Sequence, residues 1–298
     1  MKKFALAVAC FYLLSCHTIK PTNSVVNTFD TEAHRGGRGL MPENTIPAML
    51  NAIDLGVVTL EMDLHISKDK KVVVSHDPYF NENFSTTPEG QFLTKAEAQK
   101  RLLYTMTYDS IKKYDIGLKP YTLFPHQKKM AVHKPLLADL LDATESYARQ
   151  KGRQMHYNIE IKSKPAGDNV KHPPVPEFVD LAMAVIKEKG IAERTIIQSF
   201  DNRALQVMHE KYPGVATSLL IEGNDGRTLE QQLADLGFVP AVYSPHYSLV
   251  NAELLKKCHE KNIRVIPWTV NTLEEMKKLK ALGVDGLISD YPDLFAQL

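Results

Sequence analysis

Residues 30–63 read DTEAHRGGRGLMPENTIPAMLNAIDLGVVTLEMD, and this stretch sets the pattern for most of the chain. A short segment at 30–34 predicts a strand, an amphipathic segment at 44–55 predicts a helix, and an apolar segment at 57–63 predicts a second strand. Leu55-Gly56 is a typical helix end. Strand, helix and strand joined by short links predict parallel strands with a right-handed crossover.

The same alternation continues to residue 288. Further strands are predicted at 155–161, 194–198, 215–220, 240–244, 263–268 and 284–288, and further helices at 138–151, 176–189, 201–211, 228–236, 250–261 and 272–281. Eight such units favour an α/β fold that closes as a (β/α)8 TIM barrel. A doubly wound open sheet is the alternative, but no Gly-rich dinucleotide fingerprint follows the first strand.

Residues 78–135 interrupt this alternation with a polar stretch rich in Lys, Tyr and Pro. The stretch is too long for a bare loop in a compact domain, so it is predicted to be a small inserted region. Short helices are predicted at 94–103 and 107–113, with irregular chain around them. Because the insertion follows the C-terminal end of the second strand, it is expected to cover the barrel mouth, where active sites are built.

The N-terminus has the pattern of a bacterial lipoprotein signal. Lys2 and Lys3 precede an apolar run, Phe4 to Leu14, which is too short to span a bilayer as a helix. The run ends in Leu13-Leu14-Ser15-Cys16, which resembles a lipobox whose cysteine is diacylated and becomes the new first residue. Two acyl chains suffice for stable anchoring. An ordinary signal peptide, or a buried helix, with a chance cysteine is the alternative.

These features predict a signal peptide at residues 1–15, a polar tether at 16–28 and a domain at 29–298. The expected product is exported, anchored in a membrane through Cys16, and faces the periplasm. Cys10 leaves with the signal and Cys258 has no partner, so no disulfide is predicted. The formal net charge of +1 over 298 residues gives no indication of nucleic-acid binding, and no obligate protein partner is evident.

Carboxylates cluster at the ends of the second and third predicted strands. In Leu60-Glu61-Met62-Asp63-Leu64-His65, alternation puts Glu61, Asp63 and His65 on one face. Glu160, in Asn158-Ile159-Glu160-Ile161-Lys162, can join them if the strands are neighbours in a barrel. Three carboxylates suit a hard divalent cation, whereas no Cys or His cluster has zinc spacing. A solvent-facing edge strand is the alternative.

Six motifs occur in a characteristic order: HRGGRGLMPENT, EMDLHISKDKKVVVSHD, NIEIK, QSF, PWTVN and GVDGLISDYPD. Together they resemble the glycerophosphodiester phosphodiesterase family over roughly residues 30–298. The resemblance implies a TIM barrel with a small inserted region after the second strand. It also implies an enzyme that cleaves small glycerophosphodiesters, such as glycerophosphocholine or glycerophosphoethanolamine, to glycerol 3-phosphate and an alcohol.

The resemblance implies roles for five residues in catalysis and metal binding. His34 and His76 would be the general acid and base. Glu61, Asp63 and Glu160 would hold one divalent cation, either Ca²⁺ or Mg²⁺. Two histidines can exchange protons with substrate near neutral pH, which gives the pair a physical reason independent of the family.

Five further residues would contact or support the substrate, again by resemblance. Arg35 and Lys162 would bind phosphate oxygens, and Glu43 would orient a neighbouring group. Phe200 and Trp268 would form an apolar wall beside glycerol, although both could instead be core aromatics.

Several alternatives remain open. The nucleophile is either the glycerol 2-hydroxyl, through a cyclic phosphate, or water. A phospholipase of related design would show exposed apolar loops at its mouth, and a non-catalytic binder would lack a histidine or a carboxylate. His65 and His246 lie near the mouth by topology without an implied role, and Gln198 and Asp290 are predicted to be structural. The remaining histidines are expected to be solvated: His126, His133, His172, His209 and His259.

Overall fold

The computed structural model describes residues 28–298. The predicted signal peptide, the lipid site at Cys16 and the tether up to residue 27 lie outside the described residues, so they stay predictions. Within residues 28–298, no helix is both long enough and apolar enough to cross a membrane.

Within residues 28–298, eight parallel strands form the wall of a barrel, and a ninth strand lies beside it. Their spatial order is β8-β7-β6-β5-β4-β2-β1-β9, while β3 pairs with β2 in antiparallel orientation. The strands are β1 (Asp30–Ala33), β2 (Thr59–Ile66), β3 (Val72–Val74), β4 (His156–Ile161), β5 (Thr195–Ser199), β6 (Ala216–Ile221), β7 (Val242–Pro245), β8 (Arg264–Val265) and β9 (Gly286–Ser289).

Backbone hydrogen bonds bring the two ends of this sheet together. The amide of Asp285 donates to the carbonyl of Val265 at 2.9 Å, and the amide of Ile288 donates to the carbonyl of Pro267 at 3.1 Å. The eight strands therefore enclose a nearly closed barrel, and the predicted TIM barrel is confirmed. All eight predicted strands are present, with the largest end differences at β2 and β8.

Helices connect the strands and cover the outside of the barrel. Each of the seven predicted connecting helices agrees with the structure within two residues at both ends. Gly283, with a φ of +103°, ends the last of them in the left-handed conformation that glycine adopts without strain. The helices are α1 (Ile46–Asp54), α2 (Lys95–Gln99), α3 (Tyr108–Ile111), α4 (Leu137–Gln150), α5 (Val175–Glu188), α6 (Asn202–Lys211), α7 (Leu229–Leu236), α8 (Ala252–His259) and α9 (Leu273–Leu282).

The inserted region between β3 and α4 has a small hydrophobic core of its own. Phe80 is fully buried and stacks on Tyr114 with ring centroids 3.9 Å apart. The predicted helix at 94–103 is shorter than expected, because the chain leaves α2 and pairs Leu102 with Tyr79 in an isolated bridge. The other buried apolar residues of this core are Val73, Phe84, Leu93, Ala98, Leu103, Ile111, Ile116, Tyr121 and Phe124.

Alternation along β2 separates the core of the protein from its polar centre. Met62 and Leu64 are fully buried in the hydrophobic core around the barrel. Glu61 and Asp63 take the opposite face and lie inside the barrel near its C-terminal end. β4 continues this arrangement, because Asp63 is the register partner of Glu160.

Candidate active site

The end of β1 is shaped by a tight turn that begins the site. Ala33 passes directly into a 3-10 turn, His34–Gly36, in which Arg35 has a φ of 52°. A left-handed conformation is uncommon for a residue with a β-carbon, and such strain is found at functional sites. Here it points the Arg35 amide at Glu61, so that the amide donates to Oε2 at 2.7 Å.

Glu61, Asp63 and Glu160 form a buried carboxylate cluster. These residues are 1–6% exposed, and each offers an oxygen within 4.8 Å of those of the other two. Burial, reinforced by Asp63, raises the pKa of Glu61 well above its usual range. Burial also raises the pKa of Glu160, to about 7. Crowded carboxylates resist ionising together, so the cluster favours a cation between them.

Two basic side chains lie against the carboxylate cluster. Arg35 Nε is 3.3 Å from Asp63 Oδ2, and Lys162 Nζ is 2.9 Å from Glu160 Oε1 and 3.6 Å from Asp63 Oδ1. Burial alone would disfavour the Asp63 carboxylate, but Lys162 and Arg35 lower its pKa well below the usual range. Asp63 is therefore the ionised member of the cluster around which both cations gather.

Glu43 and Asn44, from the turn before α1, fix the positions of Arg35 and Asp63. Arg35 Nη1 donates to Glu43 Oε1 at 3.0 Å, which fixes the guanidinium from its far end. Asn44 Nδ2 donates to Asp63 Oδ2 at 2.8 Å, and its Oδ1 accepts from the Asp63 amide at 3.2 Å. Asn44 has a φ of 56°, a conformation that asparagine tolerates better than most residues.

His34 is hydrogen-bonded to the carboxylate of Asp290, the residue directly after β9. Its Nδ1 lies 2.5 Å from Asp290 Oδ1, and the same oxygen accepts from Arg38 Nε at 2.7 Å. Burial lowers the pKa of His34 to about 4, although Asp290 opposes this effect. The imidazole is therefore neutral near pH 7 in the free protein.

His76 has a carboxylate partner in the next residue. Its Nδ1 lies 3.0 Å from Asp77 Oδ1, and Asn81 Nδ2 donates to the other oxygen of Asp77 at 2.7 Å. Burial, with Arg35 and Lys162 adding to it, lowers the pKa of His76. The two histidines therefore have the same hydrogen-bonding arrangement: Nδ1 contacts a carboxylate, and another side chain donates to that carboxylate.

Phe200 and Trp268 are half-buried and face each other beside these polar groups. Their rings meet edge to face with centroids 5.4 Å apart, and Lys162 Nζ lies 5.9 Å from the Phe200 centroid. Trp268 Nε1 donates to the carbonyl of Ser244 at 3.0 Å, which fixes the indole. The ring of His246 also meets Trp268 in a T-shaped contact, with centroids 5.4 Å apart.

A cavity of about 520 Å³ at the barrel mouth is lined by most of these groups. Of the predicted site residues within the described chain, Asp63 and Glu43 lie behind the cavity wall and the other eight line it. Those eight are His34, Arg35, Glu61, His76, Glu160, Lys162, Phe200 and Trp268. The sequence patterns therefore indicated residues that the fold brings to one place.

Some side chains of the site are misjudged or missed by the sequence patterns. Asp290 and Gln198 are predicted to be structural, but both contact residues of the site. Asp290 is hydrogen-bonded to His34, and Gln198 Nε2 donates to Glu61 Oε1 at 2.8 Å. His172, expected to be solvated, is 2% exposed and lines the cavity near Lys164. The position of Asp290 directly after β9 was the available signal, since polar residues at barrel strand ends face the mouth.

The site and the barrel agree with a known family. A model of the glycerophosphoryl diester phosphodiesterase family matches residues 34–294, which includes every residue of the site. The chain belongs to this family. The predicted family and the prediction of an enzyme within it are both confirmed.

Individual family members resemble the chain over nearly its whole length. The glycerophosphodiester phosphodiesterase of Caldanaerobacter subterraneus is 29% identical over 266 residues, covering 89% of this chain and 96% of that protein. A candidate glycerophosphoryl diester phosphodiesterase of Silicibacter pomeroyi has a solved structure with a TM-score of 0.80 and 29% identity, covering 93% and 96% of the two chains. An Oleispira antarctica phosphodiesterase, solved with the product sn-glycerol-3-phosphate, has the same fold at 21% identity, a TM-score of 0.69 and coverage of 90% and 95%.

Proposed function

We propose that this protein hydrolyses glycerophosphodiesters, such as glycerophosphocholine and glycerophosphoethanolamine, to glycerol 3-phosphate and an alcohol. The observation that carries the proposal is a cavity where two histidines, each paired with a carboxylate, lie beside the buried carboxylate cluster and the basic side chains of Arg35 and Lys162. Family membership supports the reaction class. The product bound by the Oleispira relative supports glycerol 3-phosphate as the product released here.

Glu61, Asp63 and Glu160 would hold one divalent cation, Ca²⁺ or Mg²⁺. Both ions prefer carboxylate oxygens, and ligand distances of roughly 2.0–2.6 Å are compatible with three oxygens that lie within 4.8 Å of one another. Asp63 Oδ1 is buried and has no hydrogen-bond partner among residues 28–298, which leaves it available as a ligand. When bound, the ion would neutralise negative charge on the phosphate oxygens.

Arg35 and Lys162 would bind the nonbridging oxygens of the phosphodiester. Glu43 and Asp63 fix the Arg35 guanidinium before substrate arrives, so little ordering is needed on binding. Burial opposes the charge on Lys162, but Glu160 and Asp63 raise its pKa, so the ammonium stays protonated. Fixed positive groups in a buried site stabilise charge that grows in the transition state.

His34 and His76 would move the protons. Each donates from Nδ1 to a carboxylate, which leaves Nε2 able to accept a proton from the nucleophile or give one to the leaving oxygen. General acid–base groups typically contribute ~10²–10⁴-fold each. The nucleophile is the glycerol 2-hydroxyl if a cyclic phosphate appears and decays during turnover, and water if no such intermediate is detected.

Lysophospholipids are a second substrate class that one observation favours. The inserted region exposes three large apolar side chains, Phe92, Leu118 and Leu123, each between 54% and 61% exposed. The same chemistry would release an alcohol from an acylated glycerol phosphate. Relative rates on glycerophosphocholine and on lysophosphatidylcholine below and above its micellar concentration separate the two classes.

The proposed location is the outer side of a bacterial inner membrane or the periplasmic side of an outer membrane, through lipid on Cys16. The apolar run and the lipobox-like sequence support this proposal.

The function is tested by incubating the purified protein with glycerophosphoethanolamine and measuring glycerol 3-phosphate with a coupled dehydrogenase. We expect release that stops with a chelator and returns with excess Ca²⁺ or Mg²⁺. Activity that survives exhaustive chelation contradicts the metal site. No release from any glycerophosphodiester, with either ion present, contradicts the function itself.

A further inference from the structure

Two buried polar side chains that the proposed mechanism does not use lie under the turn that carries His76. His65 comes from the site face of β2 and is 2% exposed, and Lys134 comes from the end of the inserted region and is 3% exposed. We propose that both are positioning residues, which hold the His76–Asp77 pair in its working geometry. This inference rests on the proposed function, because it assigns a task to that same site.

Lys134 supports the turn through Ser75. Its Nζ donates to Ser75 Oγ at 2.7 Å, and Ser75 Oγ donates to the carbonyl of Asp77 at 2.8 Å. The ammonium and one hydroxyl therefore connect the residues on both sides of His76. Lys134 Nζ also lies 5.5 Å from the centroid of the Phe80 ring, within range of a cation–π contact.

A lysine with this burial needs a reason to be charged where it is. Burial lowers the pKa of Lys134, and the carboxylates of Asp77, Glu43 and Asp63 oppose that effect. A methionine or leucine would fill the same space without desolvating a charge, so packing alone does not explain the residue. The hydrogen bond from Lys134 Nζ to Ser75 Oγ explains why a lysine occupies this position.

His65 supports the turn directly at His76. Its Nε2 donates to the backbone carbonyl of His76 at 3.0 Å, while its buried Nδ1 has no hydrogen-bond partner within residues 28–298. The amide of Ser75 donates to the carbonyl of Asp63 at 2.8 Å, which ties the start of the turn to β2. The carbonyls of His76 and Asp77 are thus both fixed by side chains, His65 for one and Ser75 with Lys134 for the other.

Such support matters because His76 lies beyond the regular structure. β3 ends at Val74, and the His76 side chain is 31% exposed at the cavity. A misplacement of about 1 Å in a catalytic group can cost ~10²-fold in rate. Lys134 does not line the cavity, so its loss should lower kcat without weakening substrate binding.

The test compares Lys134→Met with a matched control, Lys112→Met, in the full protein with saturating metal. Lys112 is an exposed lysine of the same inserted region that pairs with Asp109. We expect Lys134→Met to lower kcat by ~10–100-fold with KM changed less than about twofold, and the control to match wild type. A kcat within about threefold of wild type overturns the positioning role. If the wild-type protein has no activity, the result contradicts the proposed function itself and not the positioning role of Lys134.

A double-mutant cycle shows whether Lys134 acts through His76. Once His76→Ala has removed the imidazole, adding Lys134→Met should change the residual rate by less than about twofold. If Lys134→Met lowers the rate of the His76→Ala variant by the same factor as it lowers that of wild type, Lys134 does not act through His76. If Lys134→Met does not fold, the kcat values of His65→Gln and His65→Leu are compared instead. Glutamine can donate a hydrogen bond to the His76 carbonyl and leucine cannot. The proposal requires a higher kcat for the glutamine variant, and equal values overturn it.

Discussion

Asp290 Oδ1 lies 2.5 Å from His34 Nδ1, and this contact decides which nitrogen of the imidazole carries the proton. A carboxylate only accepts hydrogen bonds, so Nδ1 is protonated and Nε2 is the atom free for chemistry. Arg38 Nε and Asn271 Nδ2 donate to Asp290 at 2.7 and 2.8 Å and hold the carboxylate in place. Asp290 directly follows β9 and His34 directly follows the neighbouring strand β1, so Asp290 orients His34 from the adjacent strand end.

Replacing Asp290 with asparagine tests this orientation. An amide can present its NH2 group to Nδ1 and favour the wrong tautomer, and a comparable change in serine proteases lowers kcat by roughly 10⁴. We expect Asp290→Asn to lower kcat by ~10²–10⁴-fold with a small change in KM, measured on glycerophosphoethanolamine. Asn271→Ala, which keeps the carboxylate and removes one support, should have the smaller effect. A loss under about tenfold for Asp290→Asn contradicts the role.

Removing each imidazole should have a large effect of its own. His34→Ala and His76→Ala should each lower kcat by ~10²–10⁴-fold, because each removes one proton-transfer group. Circular dichroism must show that both variants stay folded. His209→Ala is a matched control, because His209 stacks on Phe238 at 4.1 Å away from the cavity. A histidine whose loss is mild cannot belong to the acid–base pair.

The contrast between Glu61 and Asp290 shows how far sequence alone reaches. The carboxylate cluster could be predicted from sequence. Side chains alternate along each strand, so Glu61 and Asp63 share a face of β2, and pairing of β2 with β4 brings Glu160 beside them. Asp290 is 256 positions from His34, and Gln198 is 137 from Glu61, so only the closed barrel brings either pair together. His172 is buried by its own loop, where Lys164 N donates to its Nε2 at 3.0 Å, a contact that no periodicity indicates.

The inserted region shows the same limit in packing. Its polar composition predicted two short helices and irregular chain, and those helices exist. Its core, in which Phe80 stacks on Tyr114 and Tyr121 meets Phe124, depends on aromatic residues spaced without helical or strand period. Nothing in the local pattern distinguished these buried aromatics from exposed Phe92, because tertiary contacts decide which side is covered.

The carboxylate cluster should bind a divalent ion measurably without substrate. A ligand that binds only the folded protein stabilises it by about 2.7 kcal/mol at a hundred times its Kd, so Ca²⁺ or Mg²⁺ should raise Tm. Asp63→Asn and Glu160→Gln should each reduce that shift, as seen by calorimetry with and without the ion. Glu193→Gln, at a surface position outside the site, should leave the shift intact. An unchanged ion-induced shift in both cluster variants rules out the assigned ligands.

An ion pair far from the cavity gives a pH-dependent test of the fold. Arg194 Nη1 and Nη2 each donate to Glu145 at 2.9 Å, and Tyr157 donates to it at 2.6 Å, joining α4 to β4. Burial disfavours the Glu145 carboxylate, but its bonds to Arg194 and Tyr157 lower its pKa below the usual value. A lowered pKa stabilises the folded protein above the unfolded pKa, and this stability is lost as the pH falls.

We therefore expect Glu145→Gln to lower the free energy of unfolding by about 1–3 kcal/mol near neutral pH, because charged hydrogen bonds are lost. The difference from wild type should shrink as the pH falls below about 4. Urea titrations at several pH values measure it, and kcat should be unaffected. A difference that stays constant with pH would mean that Glu145 is not ionised in the folded protein.

The lipid anchor is testable independently of the chemistry, since it depends on the N-terminal signal and Cys16 and not on the active site. Cells that express the full chain should incorporate labelled palmitate into it, and the protein should fractionate with membranes. Cys16→Ala should lose the label and, once its signal is cleaved or removed, keep full activity on soluble glycerophosphodiesters. Cys258→Ala is the matched control and should retain the label, because Cys258 is fully buried and burial raises the pKa of its thiol to about 12. An unlabelled wild type would eliminate the anchor and leave the proposed hydrolysis untouched.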